Sequence, residues 1–488
     1  MTSATRIAIA LLLLASAVLL GLRLAQPGAD FPPGITTSGD LYADEGLHAS
    51  AAVHRLTRGE WILPGDFNPV VLMPVMEVVQ AAAFAVAGMS LATARAVDFM
   101  FLVLLAVAFF VLVRRLSSSL VAAAALALVL SNFVLYAFSR LALLEVPMMA
   151  MLVATLAVAR SSRIQRRELA GGALVGLGLA LAVLTKATAL FAFPVVLAAL
   201  AWRPGERPRW RGAAAALVAS GLVLLVHQVI VRGFFATDYA CVMAANIKVS
   251  ASPLQWARNL KHVLRQSLVV ERWLFVGALP IGALAFALSS DFRRHPLVIG
   301  ALLWVASYLG LLSLSTYNAP RYDIVFVPPV CLLLVLAVAA LAAVPRWRGV
   351  AALVAVFLVW RGAAGGWRMG DYLAHPRWSY RDMAADVRAR VRASPDVPAT
   401  LLGHIACQVG LAADLACVDD TLGSRDLAWR LDHDPPGWWV TLGIDPKTKA
   451  LLDSRGSVEL VATYHVFGDY YLGRQPVHLF RLKDLPPH

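Results

Sequence analysis

The chain has 488 residues, of which 59% are hydrophobic and only 15% charged, with a formal net charge of +13 and a mean hydropathy of +0.70. Soluble domains average about 25% charged residues, so the length describes a polytopic membrane protein rather than a string of soluble domains. The excess Arg sits in short loops between apolar runs, which is topology information and not a nucleic-acid footprint, and four Cys do not make a disulfide framework.

Residues 7–22 are apolar after Arg6. Ala15-Ser16-Ala17 resembles a signal-peptide cleavage site, but a retained first span is the reading adopted, because polytopic proteins rarely need a cleaved leader. A polar loop, 27–92, follows. Its centre, Gly39-Asp40-Leu41-Tyr42-Ala43-Asp44-Glu45-Gly46-Leu47-His48, sets two carboxylates side by side near a membrane exit, and Arg58-Gly59-Glu60-Trp61 reads as the end of an amphipathic helix and a turn. Residues 68–88 are apolar enough to span yet carry Pro69, Pro74, Glu77 and Gln80. A charge at mid-bilayer costs about 3 kcal/mol or more, so interfacial or re-entrant helices are expected there.

Further spans are expected at 93–113, 119–137, 143–159, 170–186, 189–202, 212–232, 272–289, 296–315, 323–344 and 349–364, about eleven with the first. Arg114-Arg115, the group Arg160, Arg163, Arg166 and Arg167, the group Arg203, Arg207, Arg209 and Arg211, Arg293-Arg294, and Arg346 with Arg348 occupy every second connection. By the positive-inside rule these are cytoplasmic. The protein is then expected in the cell (inner) membrane with its N-terminus cytoplasmic, and with the Asp44-Glu45 loop and the C-terminal domain outside.

Residues 234–271 form a longer outer loop with one short helix expected near 253–263. Past Gly365-Gly366 the composition turns charged and Pro-bearing, so residues 367–488 are expected as a soluble extracytoplasmic domain of ordinary size behind a membrane domain, 1–366. Tyr380, Met383, Val387 and Val391 recur at helical spacing, and β-like runs at 400–404, 438–442, 458–464 and 477–482 suggest a small α/β domain. Cys407 and Cys417 fall on the oxidising side, where a disulfide and two buried thiols are equally compatible with the spacing. The fold class expected is mainly α, a polytopic helical membrane domain with a small C-terminal α/β domain.

On this topology Asp44, Glu45, Arg140, Glu145, Lys186, Arg321 and Tyr322 all fall at the outer membrane face. Each has a plain structural explanation. Glu145 precedes Pro147 at a span's beginning, where a carboxylate suits a helix N-terminus; Arg140, Lys186 and Arg321 suit interfacial snorkels, and Tyr322 an aromatic belt. Together they place acids and cations in loops otherwise stripped of charge. Acids that deprotonate a hydroxyl and cations that hold a phosphate are the parts for transfer from a phosphorylated lipid.

The run Ala43-Asp44-Glu45-Gly46 through Arg58-Gly59-Glu60-Trp61-Ile62 and Gly88-Met89-Ser90-Leu91-Ala92-Thr93-Ala94-Arg95 resembles the first outer loop of GT-C membrane glycosyltransferases, in particular the protein O-mannosyltransferases and the lipid A aminoarabinose transferase. Ser139-Arg140-Leu141-Ala142-Leu143-Leu144-Glu145-Val146-Pro147 is similar to their second motif, and Thr185-Lys186 and Pro320-Arg321-Tyr322 to further features. The resemblance covers roughly residues 1–340. Two departures stand out: Phe67-Asn68-Pro69-Val70 lacks the Lys-Pro-Pro usual there, and Glu145 stands where Asp is commoner.

The resemblance implies an inverting glycosyltransferase with a polyprenyl-phosphate sugar donor and a lipid, glycan or protein acceptor. The topology argues separately for that donor, since an outer-face site has no nucleotide sugars. On this reading Asp44 is the base on the acceptor hydroxyl, and Glu45 and Glu145 orient base or acceptor. Lys186, Arg321 and Arg140 hold the donor phosphate, and Tyr322 hydrogen-bonds it. No cofactor is required by the motifs; a divalent cation, if the site takes one, falls to Asp44, Glu45 and Glu145. A transporter or flippase of lipid-linked saccharide is the rival, but transporters gather polar residues near the midplane of repeated, broken helices, and here the spans read as bare and unrepeated.

Overall fold

A computed structural model describes residues 2–36, 38–202, 210–246, 252–270, 272–419, 427–467 and 475–483. Arg203, Arg207, Arg209 and Lys248 lie outside them. Helices dominate, and a five-stranded sheet lies near the C-terminus.

Among the described residues, seven helices are long and apolar enough to cross a membrane: Ser3–Leu24, Leu91–Leu116, Glu168–Thr185, Trp210–Phe234, Pro296–Leu314, Pro320–Ala343 and Pro345–Arg392. An eighth is reached if Pro253–Leu268 and Arg272–Leu288, bent by 103°, count as one span. This corrects the expected eleven, and the differences have local causes. The run 119–137 breaks into Ser119–Leu130 and Phe133–Phe138 because the Asn132 side chain accepts from Leu135 N–H at 2.7 Å and starts a new helix. Residues 143–159 yield the 15-residue helix Glu145–Ala159, and 189–202 the apolar helix Ala187–Ala201, whose first turns are 3₁₀. Fifteen residues at 1.5 Å cover about 22 Å, short of a hydrocarbon core of roughly 30 Å. Residues 68–88 contain the 14-residue helix Pro74–Ala87, begun by Pro74 and stopped at Gly88 with φ 86°.

Helices Glu168–Thr185 and Trp210–Phe234 pack backbone to backbone. A Cβ on Gly172 or Gly176 would lie 2.2 Å from Gly212 O or 2.3 Å from Ala216 O, so small residues let the two helices meet, the usual device where lipid removes the hydrophobic drive between helices.

Among the described residues the 234–271 region holds two helices, Ala236–Asn246 and Pro253–Val270, rather than one. Helix Arg348–Ala374 continues straight through Gly365-Gly366, so the composition change is not a break in the chain. Beyond it, helix Ser379–Arg392 buries Tyr380, Met383, Val387 and Val391 as the spacing predicts. The strands are β1 (Leu401–Leu402), β2 (Cys417–Val418), β3 (Trp438–Leu442), β4 (Ser457–Tyr464) and β5 (Val477–Lys483), in the order β2-β1-β3-β5-β4. β1 pairs parallel with β2 and β3, while β5 lies antiparallel between β3 and β4, with Trp439 opposite Phe480. Helices Ala406–Ala413, Leu427–His433 and Pro446–Arg455 complete the α/β layer. Cys407 and Cys417 are joined as a disulfide, with Cα atoms 5.0 Å apart.

The first polar loop is not a solvated surface. Tyr42, Ala49, Ala52 and Val53 are at most 1% exposed, and the sheet layer sits directly on it. Asp30 caps helix Ser379–Arg392 by accepting Tyr380 N–H and Ser379 N–H, each at 3.0 Å. Asp66 accepts Asp419 N–H at 2.8 Å, and Arg430 donates to Pro64 O at 2.9 Å.

His54 is buried in this seam with Nε2 3.5 Å from Asp66 Oδ2. Burial, together with the charges of Arg58 and Arg430, lowers its pKa from 6.5 to about 3. A depressed His pKa means the unfolded chain binds the extra proton, so stability falls as pH drops below 6.5 toward 3. From that shift, moving from pH 7 to pH 5 should cost about 2 kcal/mol at this one site. Thermal unfolding in detergent should show the loss, and His54→Leu should flatten the slope between pH 6.5 and 5; an unchanged slope would remove His54 as its source.

Candidate functional site

Four charged side chains and one tyrosine converge where several helices end. Glu145 opens helix Glu145–Ala159, where its charge meets the positive end of the helix dipole. Lys186 is the C-cap of Glu168–Thr185, where a cation meets the negative end. Arg321 and Tyr322 lie in the 3₁₀ turn Pro320–Phe326 that leads into Val327–Ala343, and Asp44 lies in helix Asp40–Leu47 of the first polar loop. The chain thus assembles the cluster from four separate connections on one side of the helical body.

Arg321 is the bridge. Its Nη1 donates to Asp44 Oδ2 and its Nε to Glu145 Oε1 at 3.1 Å. Lys186 Nζ reaches the same Glu145 oxygen at 2.7 Å. Tyr322 presents its ring to both cations, 4.9 Å from Lys186 Nζ and 5.2 Å from the Arg321 Cζ, with its hydroxyl 3.5 Å from Arg321 Nη2. Asp44, Glu145, Lys186 and Arg321 are all buried. Two carboxylates face two cations, so the cluster is neutral as a set, which lets charges persist where each alone would be expensive. Glu145 Oε2 has no hydrogen-bond partner among the described residues, leaving one buried acceptor position open to a ligand.

Two expected members lie elsewhere. Glu45 pairs with Arg95 through Nε at 2.8 Å and Nη2 at 2.7 Å, and also accepts Ala142 N–H at 2.8 Å. Successive helical residues point about 100° apart, so the adjacent acids serve different neighbourhoods. The three carboxylates suggested as cation ligands therefore do not meet at one point: Arg321 stands between Asp44 and Glu145, and Glu45 is bound to Arg95. Arg140 donates to Ala25 O at 2.8 Å and Gln26 O at 2.6 Å and stacks on Tyr136 and Tyr372. It closes the C-terminal end of helix Ser3–Leu24 and is not part of the four-residue cluster. Among the described residues, the one group of His, Cys and acidic side chains with ligand atoms within 4.8 Å is His54, Cys407 and Cys417, whose sulfurs are already joined to each other.

Supporting residues also emerge that were not singled out for a role. Asp98, buried within span Leu91–Leu116, accepts Leu143 N–H at 3.2 Å. With Glu45 on Ala142, it fixes the segment immediately before Glu145. A lone acid in a 26-residue apolar helix is a signal of this kind, and it means the spans are not bare. Gln408, from the C-terminal layer, touches the Asp44 helix directly; nothing in its sequence surroundings marks it.

Residues 74–204 match the model of the dolichyl-phosphate-mannose-protein mannosyltransferase family, a stretch that includes Arg95, Asp98, Glu145 and Lys186. No curated protein matches the chain by sequence. Among solved structures, ArnT from Cupriavidus metallidurans in the apo state is similar over 100% of both chains at 15% identity, with a TM-score of 0.64. The same protein bound to undecaprenyl phosphate is similar over 98% of this chain and 99% of that one at 14% identity, TM-score 0.64. The archaeal oligosaccharyltransferase AglB from Archaeoglobus fulgidus, in complex with an inhibitory peptide and a dolichol-phosphate, matches over 89% of this chain and 69% of its own at 11% identity, TM-score 0.53. The chain has the GT-C fold these proteins share.

Proposed function

We propose that this multi-pass membrane protein with the GT-C fold is a glycosyltransferase. It moves a sugar from a polyprenyl-phosphate donor to a hydroxyl or phosphate group of a lipid, glycan or protein acceptor, with inversion, at the outer face of the cytoplasmic membrane. The observation that carries this reading is the buried, charge-balanced cluster of Asp44, Glu145, Lys186 and Arg321. The undecaprenyl phosphate of the ArnT complex and the dolichol-phosphate of the AglB complex lend support to a polyprenyl-phosphate donor here.

The cluster suggests how donor and base are coupled. A carboxylate paired with a guanidinium is a poor base, because the opposite charge stabilises its ionised form. A donor phosphate entering beside Arg321 and Lys186 competes for their N–H groups, since charge-assisted bonds to phosphate are strong. As Arg321 turns to the phosphate, Asp44 loses its partner and gains basicity. The acceptor oxygen then attacks the anomeric carbon from the side opposite the phosphate. The carbon–oxygen bond to phosphate breaks, the acceptor proton passes to Asp44, and Arg321 and Lys186 neutralise the departing phosphate with Tyr322 alongside. Glu145 holds both cations throughout. Two acids against two cations balance before the donor enters; the donor phosphate then adds one negative charge, which a divalent cation would offset.

The test is direct. Purified protein in lipid nanodiscs, given polyprenyl-phosphate sugars and a membrane extract as acceptor source, should release free polyprenyl phosphate and label an acceptor identifiable by mass spectrometry. Movement of intact donor across a vesicle membrane with no cleavage would instead establish the flippase reading.

A further inference from the structure

The C-terminal layer carries no motif for an activity, yet one of its side chains enters the turn that bears Asp44. Gln408, 1% exposed, lies in helix Ala406–Ala413. Its Oε1 accepts Glu45 N–H at 3.2 Å, and its Nε2 donates to Leu41 O at 2.7 Å. Leu41 C=O and Glu45 N–H are the i and i+4 groups that bond to each other across one turn of an α-helix. The Gln408 carboxamide, a copy of a peptide group, thus engages both ends of the turn enclosing Asp44. The same Nε2 is 3.5 Å from Glu45 Oε2, which links it to the Arg95 pair.

The approach is built into the backbone. A Cβ on Gly46 would lie 2.0 Å from Gln408 N and 2.3 Å from Cys407 C, so only glycine at that position lets the two helices close. The neighbouring Cys407–Cys417 disulfide ties helix Ala406–Ala413 to β2, giving the clamp a fixed base. Asp44 itself is anchored on its other side by Arg321. If Arg321 swings to a donor phosphate, the turn must be held by something else.

We propose that Gln408 is a positioning residue for the transfer reaction: it holds the Asp44 turn in place when Arg321 is engaged with donor, which makes the C-terminal layer part of the catalytic machinery. The proposal rests on the glycosyltransferase reading above. Misplacing a base by about 1 Å can cost on the order of 10²-fold. Gln408→Ala should therefore lower kcat by about 10- to 100-fold while donor affinity, measured by titration with polyprenyl phosphate, stays within about twofold, since no phosphate-facing group is touched. Gln408→Glu keeps the acceptor for Glu45 N–H but loses the donor to Leu41 O and repels the Glu45 carboxylate, so it should not rescue. Gly46→Ala drives a Cβ into the Gln408 backbone, so it should lower kcat at least as far as Gln408→Ala, with a loss of thermal stability that Gln408→Ala does not share.

Hydrogen exchange of the 41–47 backbone amides gives a readout independent of turnover. Exchange should speed up in Gln408→Ala, most in donor-bound protein, with amides of the Pro320–Phe326 turn unchanged. Unchanged exchange, or faster exchange with wild-type kcat, overturns the proposal. Parallel loss of donor affinity and thermal stability would also overturn it, by making Gln408 a general packing residue. Wild-type protein that cleaves no polyprenyl-phosphate sugar would instead sink the transferase reading, and the exchange data would still decide whether the clamp exists.

Discussion

Asp44→Asn is expected to cut turnover by about 10²-fold or more, the range of a lost general base, with donor lipid bound at least as tightly as by the parent protein. A sugar or serine hydroxyl is a weak nucleophile at neutral pH, so transfer needs an acceptor for its proton within hydrogen-bond reach. Asparagine keeps the shape of Asp44 and removes that capacity. Donor binding should not suffer, because Asp44 and the phosphate compete for the same Arg321 N–H groups, and a neutral amide competes less. Glu45→Gln should act differently: it weakens the Arg95 pair and the bond from Ala142 N–H, so its effect should appear first in thermal stability. Steady-state transfer and donor titration on the three proteins check this. Normal turnover in Asp44→Asn with a dead Glu145→Gln would move the base to Glu145, whose Oε2 has no hydrogen-bond partner among the described residues.

The membrane class and the convergence of Asp44, Glu145, Lys186, Arg321 and Tyr322 were legible because both depend on one-dimensional signals. Apolar runs mark helices, and charges left in otherwise neutral connections mark a shared face. What the sequence could not reveal was direction. Asp44 and Glu45 are adjacent, and adjacency suggests mutual repulsion, but a helical turn sends one to Arg321 and the other to Arg95. Arg140 sits in the right connection and turns back on the carbonyls of residues 25 and 26. The span count failed for a similar reason: hydropathy does not register that Asn132 can restart a helix, or that an apolar run can yield a helix of only 15 residues.

The C-terminal layer shows a second limit. Its longer strands announce themselves by alternation, whereas β2 has only two residues, Cys417 and Val418, and exists because β1 offers it a partner. Contacts such as Gln408 to Leu41 join positions 367 residues apart, and a single glutamine has no periodicity to betray it. Such residues become visible only once the first polar loop is seen to be a packed surface, with Gly46 as the point of closest approach.

Arg321→Ala should weaken donor binding by about 10- to 100-fold, the loss of one charged hydrogen-bond group at about 1.5–3 kcal/mol, and should slow transfer by at least as much. The same change leaves Asp44 and Glu145 facing Lys186 alone. Removing one partner from a buried ion pair costs about 3–5 kcal/mol, so the alanine protein should also melt earlier, and a stability loss alone would not identify a phosphate contact. Arg321→Lys separates the two. It keeps a positive charge between the acids and so most of the stability, but one ammonium cannot copy a planar fork that reaches Asp44 through Nη1 and Glu145 through Nε. The lysine protein should melt near the parent temperature, bind donor several-fold more weakly, and transfer at a fraction of the parent rate. Raising salt should weaken donor binding less in the alanine variant than in the parent, because one fewer charge meets the phosphate, whereas the lysine variant should keep the parent's salt dependence. Should both variants bind polyprenyl phosphate with parent affinity, Arg321 is a structural bridge between two acids, and the phosphate belongs to Lys186.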